Sequence, residues 1–319
     1  MTDRMHQPSD LLLLEDALID GRDGFVCCGN HLWHHFQRFP WDLKRPEANP
    51  AYGEHFRQIR SRITQGIPER KSAKYLRGEY HLGISPHMDS YYHLITDLLP
   101  HLIRSDRRPV LVPQWMPEPF KAFLQTCGFE TKVLGEGIFQ VEHLQLPAMP
   151  VPAWNLEKFQ QVQDFIRKHL LKHEKKSPAS EKWKRFFLSR RHVRRRHLVN
   201  EEELIPILEK HRFRVLVPEE RSIFKQIALF SQITHLITPH GAGLVNGIFC
   251  PKETRILEIR PIISSGDFCF DALFDCGNFR HEVLVPKKRG LFLLEPELLE
   301  NILMRWDQEE RQTVEEACA

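Results

Sequence analysis

In the second half of the chain, short apolar runs alternate with segments in which apolar residues recur at helical spacing. Arg185–Ser189 (RFFLS), Phe213–Val217 (FRVLV), His235–Thr238 (HLIT) and Arg255–Ile259 (RILEI) each read as a strand. Between them, Asn200–His211 opens with an N-cap residue and acids before its apolar face begins, with Pro206 its weak point, and Ser222–Ser231 repeats the pattern. His240–Phe249, following Pro239, is expected to open a further helix. Strand–helix alternation at this spacing predicts a parallel, doubly wound sheet, which binds ligands at the carboxyl ends of its strands. The first half alternates less cleanly. Glu79–Ile84, Pro109–Pro113 and Thr131–Leu134 read as strands and Pro119–Cys127 as a helix. Tyr91–Arg104 reads as a helix interrupted at Pro100, and Asn155–Leu171 as an amphipathic helix. Residues 1–75 show no clear period, and the stretch around His31–His35 and Trp41 is rich in aromatics and histidine. Glu297–Arg311 predicts a terminal helix. Lys172–Lys182, charged and interrupted by Ser-Pro, reads as a linker. The expectation is an α/β fold of two Rossmann-like parallel-sheet domains facing a cleft. Residues 1–175 form the first, 183–295 the second, and a helix over 296–319 is free to return to the first.

Composition narrows the class. The 319 residues are 41% hydrophobic and 27% charged, and 21 Phe with 6 Trp supply the core that a disordered chain lacks. The net charge of +3 conceals an uneven distribution. Eight Lys/Arg and no acid lie between Lys182 and His197, leaving 37 basic against 42 acidic residues elsewhere. The basic character is therefore local, and it needs an anion. Seven cysteines without a Cys-x-x-Cys pair argue against a disulfide framework or a zinc site. The polar start and the short Leu11–Leu14 run predict neither a signal core nor a membrane span, hence a cytoplasmic protein.

Three segments carry candidate chemistry. In Thr238–Asn246 (TPHGAGLVN), small residues stand where a strand hands over to a helix, so backbone amides can approach an anion and a helix dipole can point at it. His240 and Asn246 could donate to phosphate or sugar. The same glycines would serve a turn that needs them for packing alone. No Gly-Lys-Ser/Thr follows, and Gly247 falls one position late for a dinucleotide fingerprint. Glu258, at the end of the next strand, suits either a ribose diol or a salt bridge. Ser189, Arg190 and Arg191 close RFFLS, and Arg194–Arg196 follow; an arginine fork recognises phosphate oxygens bidentately. A nucleic-acid patch is the competing reading of residues 182–197, but no Phe, Tyr or Trp interleaves with the arginines from Arg190 to Arg196. Finally, His93 and Asp97 lie four apart on one helical face, where a carboxylate orients an imidazole as a general base. With 18 histidines in the chain, a structural role for His93 is the ordinary alternative.

Taken together, the Tyr-Tyr-His block at residue 91, the run FLSRR…NEEEL at 187–204 and the run TPHGAGLVNGIFCPKETRILEI resemble glycosyltransferase family 61 over about residues 85–262. The resemblance implies a GT-B architecture and inverting, metal-independent transfer from a UDP-sugar to a hydroxyl of a glycan or glycoconjugate, as in polysaccharide biosynthesis. No cofactor is implied beyond the nucleotide-sugar, and no Asp-x-Asp occurs. By position, Ser189, Arg190, Arg196, His240, Gly241, Ala242, Gly243, Leu244 and Asn246 would bind the donor and Glu258 its ribose. His93, then Asp97 or Asp89, would be the base. Val245 and Lys252-Glu253 depart from the family's usual residues. The implied partners are a UDP-sugar and a glycan acceptor, with no nucleic acid and no transmembrane segment, while peripheral membrane contact stays open. The alternatives are a nucleic-acid-binding protein using the 182–197 stripe and a non-catalytic sugar-nucleotide-binding protein.

Overall fold

The computed structural model describes residues 11–28, 31–34, 37–40, 70–84, 87–147, 154–173, 183–193, 196–260, 269–286 and 292–318. His35, Trp41, Arg194, Arg195 and most of the expected linker fall outside them. The chain divides into two compact units, Met1–His169 and Leu170–Ala319.

The first unit is built on an eight-stranded mixed sheet. Its strands are β1 (Leu11–Asp20), β2 (Val26–Cys28), β3 (His31–His34), β4 (Gln37–Pro40), β5 (Lys74–Leu82), β6 (Val110–Pro113), β7 (Thr131–Leu134) and β8 (Ile138–Pro147). They are ordered β4-β3-β2-β1-β8-β5-β6-β7. The β8–β5–β6–β7 half is parallel, as the alternation predicts. The β4–β3–β2–β1 half is an antiparallel meander joined to β8 along the whole of β1, from Leu11↔Pro147 to Asp20↔Ile138. The first sheet is thus mixed rather than wholly parallel, because the opening residues that show no period supply half of it. Val110–Pro113 are buried throughout, as in a strand covered on both faces.

The helix expected over Tyr91–Arg104 is present in three pieces: α1 (Tyr91–His93), a wide π-type turn over Leu94–Leu98 and α2 (Leu99–Arg104). The irregularity precedes Pro100 rather than falling on it. Pro100 has no N–H to continue the ladder and its ring crowds the turn below, and the wider turn, with Leu99 N–H bonded to Leu94 O, relieves both. Helices α3 (Glu118–Thr126) and α4 (Leu156–His173) complete the unit. Asn155 Oδ1 caps α4 by accepting from Lys158 N–H at 2.8 Å.

The second unit carries a five-stranded, fully parallel sheet ordered β10-β9-β11-β12-β13. The strands are β9 (Arg185–Leu188), β10 (Arg214–Leu216), β11 (His235–Pro239), β12 (Arg255–Ile259) and β13 (Arg280–Leu284). They alternate with α5 (Glu201–Lys210), α6 (Ile223–Phe230) and α7 (Asp271–Gly277), and the long α8 (Pro296–Cys318) follows. The expected α/β class holds. In helix α8, Leu299, Leu303 and Trp306 join Phe187, Phe213, Ile237 and Leu257 in the second unit's core.

An ionic row fixes α8. Arg185, His235 and Arg255 are the first residues of three adjacent parallel strands and sit in one register row. Arg185 donates to Asp307 at 2.6 Å and to Glu310 at 2.5 Å, His235 pairs with Glu310 at 2.9 Å, and Arg255 donates to Glu309 at 2.5 Å. The hydrogen bond from His235, helped by Arg185, holds the Glu310 carboxyl down to about 2. Against the penalty of burial, Arg185 and His211 hold Asp307 below its ordinary value. A carboxyl depressed on folding stabilises the native state above its unfolded pKa, and that stabilisation is lost as pH falls toward the folded value. Stability of the second unit is therefore expected to decline between about pH 4.5 and about pH 2. Denaturant titrations across that range check it, and Glu310→Gln should flatten the slope. Because α8 clamps the amino ends of the strands, the carboxyl edge is left for other elements.

Candidate functional site

Parallel strands bring their carboxyl-terminal loops to one edge, and in the second unit these are the segments the sequence marks. Arg190 and Arg191 leave β9, the short turn Pro218–Glu220 follows β10, His240–Gly243 follow β11, and Arg260 follows β12.

Two of these segments meet, although they lie about fifty residues apart in sequence. The Arg190 guanidinium rests on the Gly241 α-carbon. A methyl group there would lie 1.9 Å from Arg190 Nη1 and 2.3 Å from Cζ. Gly241 has an extended backbone with φ 166°, so close approach, not an unusual conformation, is what demands glycine. Burial, with the Arg196 charge adding and Glu219 opposing, pulls the Arg190 pKa down. A second guanidinium is thus near enough to be felt, an arrangement that an anion would relieve. Gly243 is less constrained, a β-carbon there falling 3.1 Å from Leu188 Cδ2. Gly247 serves packing, since a β-carbon would meet Phe274 at 2.6 Å.

The helix expected over His240–Phe249 is present as a 3-10 helix, Ala242–Phe249, with Leu244 N–H bonded to Gly241 O at 2.9 Å. Two glycines lower its helical propensity, and Leu244–Phe249 are buried on every side, which favours the slimmer coil. The amides of Ala242 and Gly243 still open the helix, where no intrahelical acceptor exists.

Other predicted donor ligands turn inward. Ser189 is 1% exposed; its hydroxyl donates to Glu201 at 2.5 Å and accepts from the Arg191 amide at 3.2 Å. It builds the loop rather than binding a ligand. Leu244 is core. Asn246 is fully buried, and its amide donates to Gln226 at 3.0 Å; Gln226 in turn donates to the Pro218 and Arg221 carbonyls. Asn246 therefore holds the turn after β10 and does not face solvent. Glu258 turns inward as well. It is fully buried, and both oxygens are engaged: Oε1 by His240 Nδ1 at 2.5 Å and Arg260 Nε at 3.0 Å, Oε2 by Arg260 Nη2 at 2.7 Å and His281 Nε2 at 2.9 Å. Four hydrogen bonds engage both carboxylate oxygens, so Glu258 faces protein donors where the sequence offered a ribose diol. Against the cost of burial, these donors hold the Glu258 carboxyl well below the usual carboxylate range.

Arg260 and His281 were not legible as site residues, although Arg260, two positions after Glu258 in an extended segment, shares its face. Glu258, Asp271 and His281 place ligand atoms within 4.8 Å of one another. Arg260 also bonds Asp271, so its guanidinium already supplies the positive charge between the two carboxylates. That donor set reads as an ion-pair network.

In the first unit, His93 Nδ1 lies 2.6 Å from Asp97 Oδ2 across the π-type turn. Thr96 Oγ1 lies 2.8 Å from the other Asp97 oxygen and 2.9 Å from Tyr92 O, so its single hydroxyl proton is shared between these acceptors. The His93 ring stacks on His87 at 5.0 Å and meets the edge of Tyr92 at 5.2 Å. Nδ1 held by a carboxylate leaves Nε2 to work as a base, and the side chain is partly exposed. Lys158, buried against Trp154 with its ammonium 4.5 Å from the ring centroid, has its pKa pulled down to about 8 by burial, with Asp97 opposing. Asp89 is exposed.

A family model described as Glycosyltransferase 61 matches residues 91–257. The match begins two residues before His93, includes Arg190, Arg196 and His240–Asn246, and ends one residue short of Glu258. No curated protein matches the chain. Among the described residues, no helix is long and apolar enough to cross a membrane.

Proposed function

The chain belongs to glycosyltransferase family 61, and from that premise we propose that it transfers a sugar from a UDP-sugar, with inversion at the anomeric carbon, to a hydroxyl of a glycan or glycoconjugate acceptor in polysaccharide biosynthesis. The observation that carries this reading is the seat of the Arg190 guanidinium on Gly241. It joins the basic loop and the glycine turn, recognisable separately in the sequence, into one anion site. We read the two units as the acceptor and donor domains of a GT-B enzyme.

In the proposed reaction, His93 Nε2 takes the acceptor proton as its oxygen attacks the anomeric carbon, and Asp97 stabilises the imidazolium that forms. Asp97 or Asp89 is the second candidate for the base. The bond from the anomeric carbon to the diphosphate breaks on the opposite face of the sugar. Arg190, Arg196 and the amides of Gly241, Ala242 and Gly243 meet the charge growing on the leaving diphosphate. Preorganised donors of this kind supply a large share of barrier lowering, and they do so here without a metal or other cofactor. Within the 182–197 stripe, Arg185 is tied to Asp307 and Glu310, and Arg191 to Glu201, so these two cations are engaged within the fold.

The test is UDP release from a panel of UDP-sugars with and without glycan acceptors. The expected result is acceptor-stimulated UDP release from one donor, together with thermal stabilisation by UDP. Stabilisation without turnover of any donor would support the non-catalytic binding protein.

A further inference from the structure

His240 occupies an unusual place at the donor edge. It is 2% exposed and immediately precedes Gly241, on which Arg190 rests. Its amide is fixed to Ile259 O at 2.8 Å and its ring stands edge-on to Phe270 at 5.3 Å. Nδ1 is bound to Glu258 at 2.5 Å, so Nε2 points away from the carboxylate, and among the described residues it has no hydrogen-bond partner. The charged groups around it are Glu258 from β12, Arg260 beyond it, Asp271 from α7 and His281 from β13. Arg190 and Arg196 stand in the loop after β9, with Glu219 in the turn after β10. Two carboxylates, the buried Glu258 and the partly exposed Asp271, share the one guanidinium of Arg260, so a further positive charge beside them would be favoured. His281 is turned inward onto Glu258 and Phe274, whereas His240 borders Gly241.

We propose that donor binding is proton-linked through His240: on binding, the diphosphate draws a proton from solvent onto this imidazole, whose Nε2–H then hydrogen-bonds a phosphate oxygen while Nδ1–H stays on Glu258. Glu258 is accordingly a positioning residue that orients the ring and stabilises its cation, as a carboxylate does behind a metal-bound histidine. The inference rests on the donor site proposed above and adds a third, switchable cation to it.

The experiment is calorimetric titration of UDP into the full chain at pH 7.5 in two buffers of different ionisation enthalpy. The terminal phosphate of UDP is then already ionised, its second pKa being about 6, so proton uptake comes from the protein. Net uptake is expected in the unsubstituted protein. His240→Gln should abolish it and weaken UDP by about tenfold, as loss of a charge-assisted hydrogen bond does. Glu258→Gln, where circular dichroism shows it folded, should abolish uptake as well. A purely structural role for either residue leaves the proton count unchanged. UDP binding without buffer dependence overturns the proposal and leaves the donor site standing, and uptake that survives in His240→Gln overturns the assignment to that residue. An absence of binding to the unsubstituted protein overturns the donor site and the proposal together.

Discussion

Replacing Arg190 with alanine is expected to remove nearly all glycosyl transfer, a loss of on the order of 100- to 1,000-fold in kcat, or about 3–4 kcal/mol in the barrier. The diphosphate gains charge as the glycosidic bond breaks, and Arg190 is the side chain seated on the glycine turn that would receive it. Its guanidinium is largely withdrawn from water, and burial together with Arg196 destabilises its charge in the resting protein. An anion therefore interacts with it more strongly than with a solvated arginine. Arg190→Lys should recover little, because a point charge on a flexible stem cannot reproduce the planar fork lying against Gly241. The variants should fold normally. Steady-state UDP release alongside thermal unfolding checks both points, and turnover within threefold of the parent would remove Arg190 from the donor site.

The second large effect is expected at His93. His93→Ala should cut kcat by roughly 100- to 10,000-fold, the range for loss of a general base, with little change in KM for the donor. Added imidazole should restore part of the rate, since the missing group is a proton acceptor and the pocket left behind has the shape of a ring. Asp97→Asn keeps the shape of the pair but cannot stabilise an imidazolium, and its loss should be smaller. Rate measurements with and without imidazole decide the matter. A His93→Ala enzyme close to full activity would move the base to Asp89.

The second unit was the more legible half of the molecule for a physical reason. Strands covered on both faces, such as Phe186–Leu188, read as unbroken apolar runs, and the helices between them keep one apolar face. The first sheet hid its other half because β1 finds its partner, β8, more than a hundred residues away. Nothing in Leu11–Asp20 alone indicates that pairing. The site divides in the same manner. Residue type and spacing picked out His93 with Asp97, four residues apart, and Arg190 and Gly241 separately, without showing that the last two meet. They could not show which way a polar side chain at a strand end points. Ser189, Asn246 and Glu258 looked available to a ligand and instead face Glu201, Gln226 and the Arg260–His281 pair. The row of Arg185, His235 and Arg255 is visible only once three separate strands lie side by side.

The contact between residue 241 and residue 190 has an evolutionary corollary. A mutation that adds a side chain at 241 evicts the guanidinium from its seat, while a shorter residue at 190 leaves the glycine facing a void. Neither position can drift alone without damage to the other. Among descendants of this sequence, the pair should be kept or abandoned as one hereditary unit.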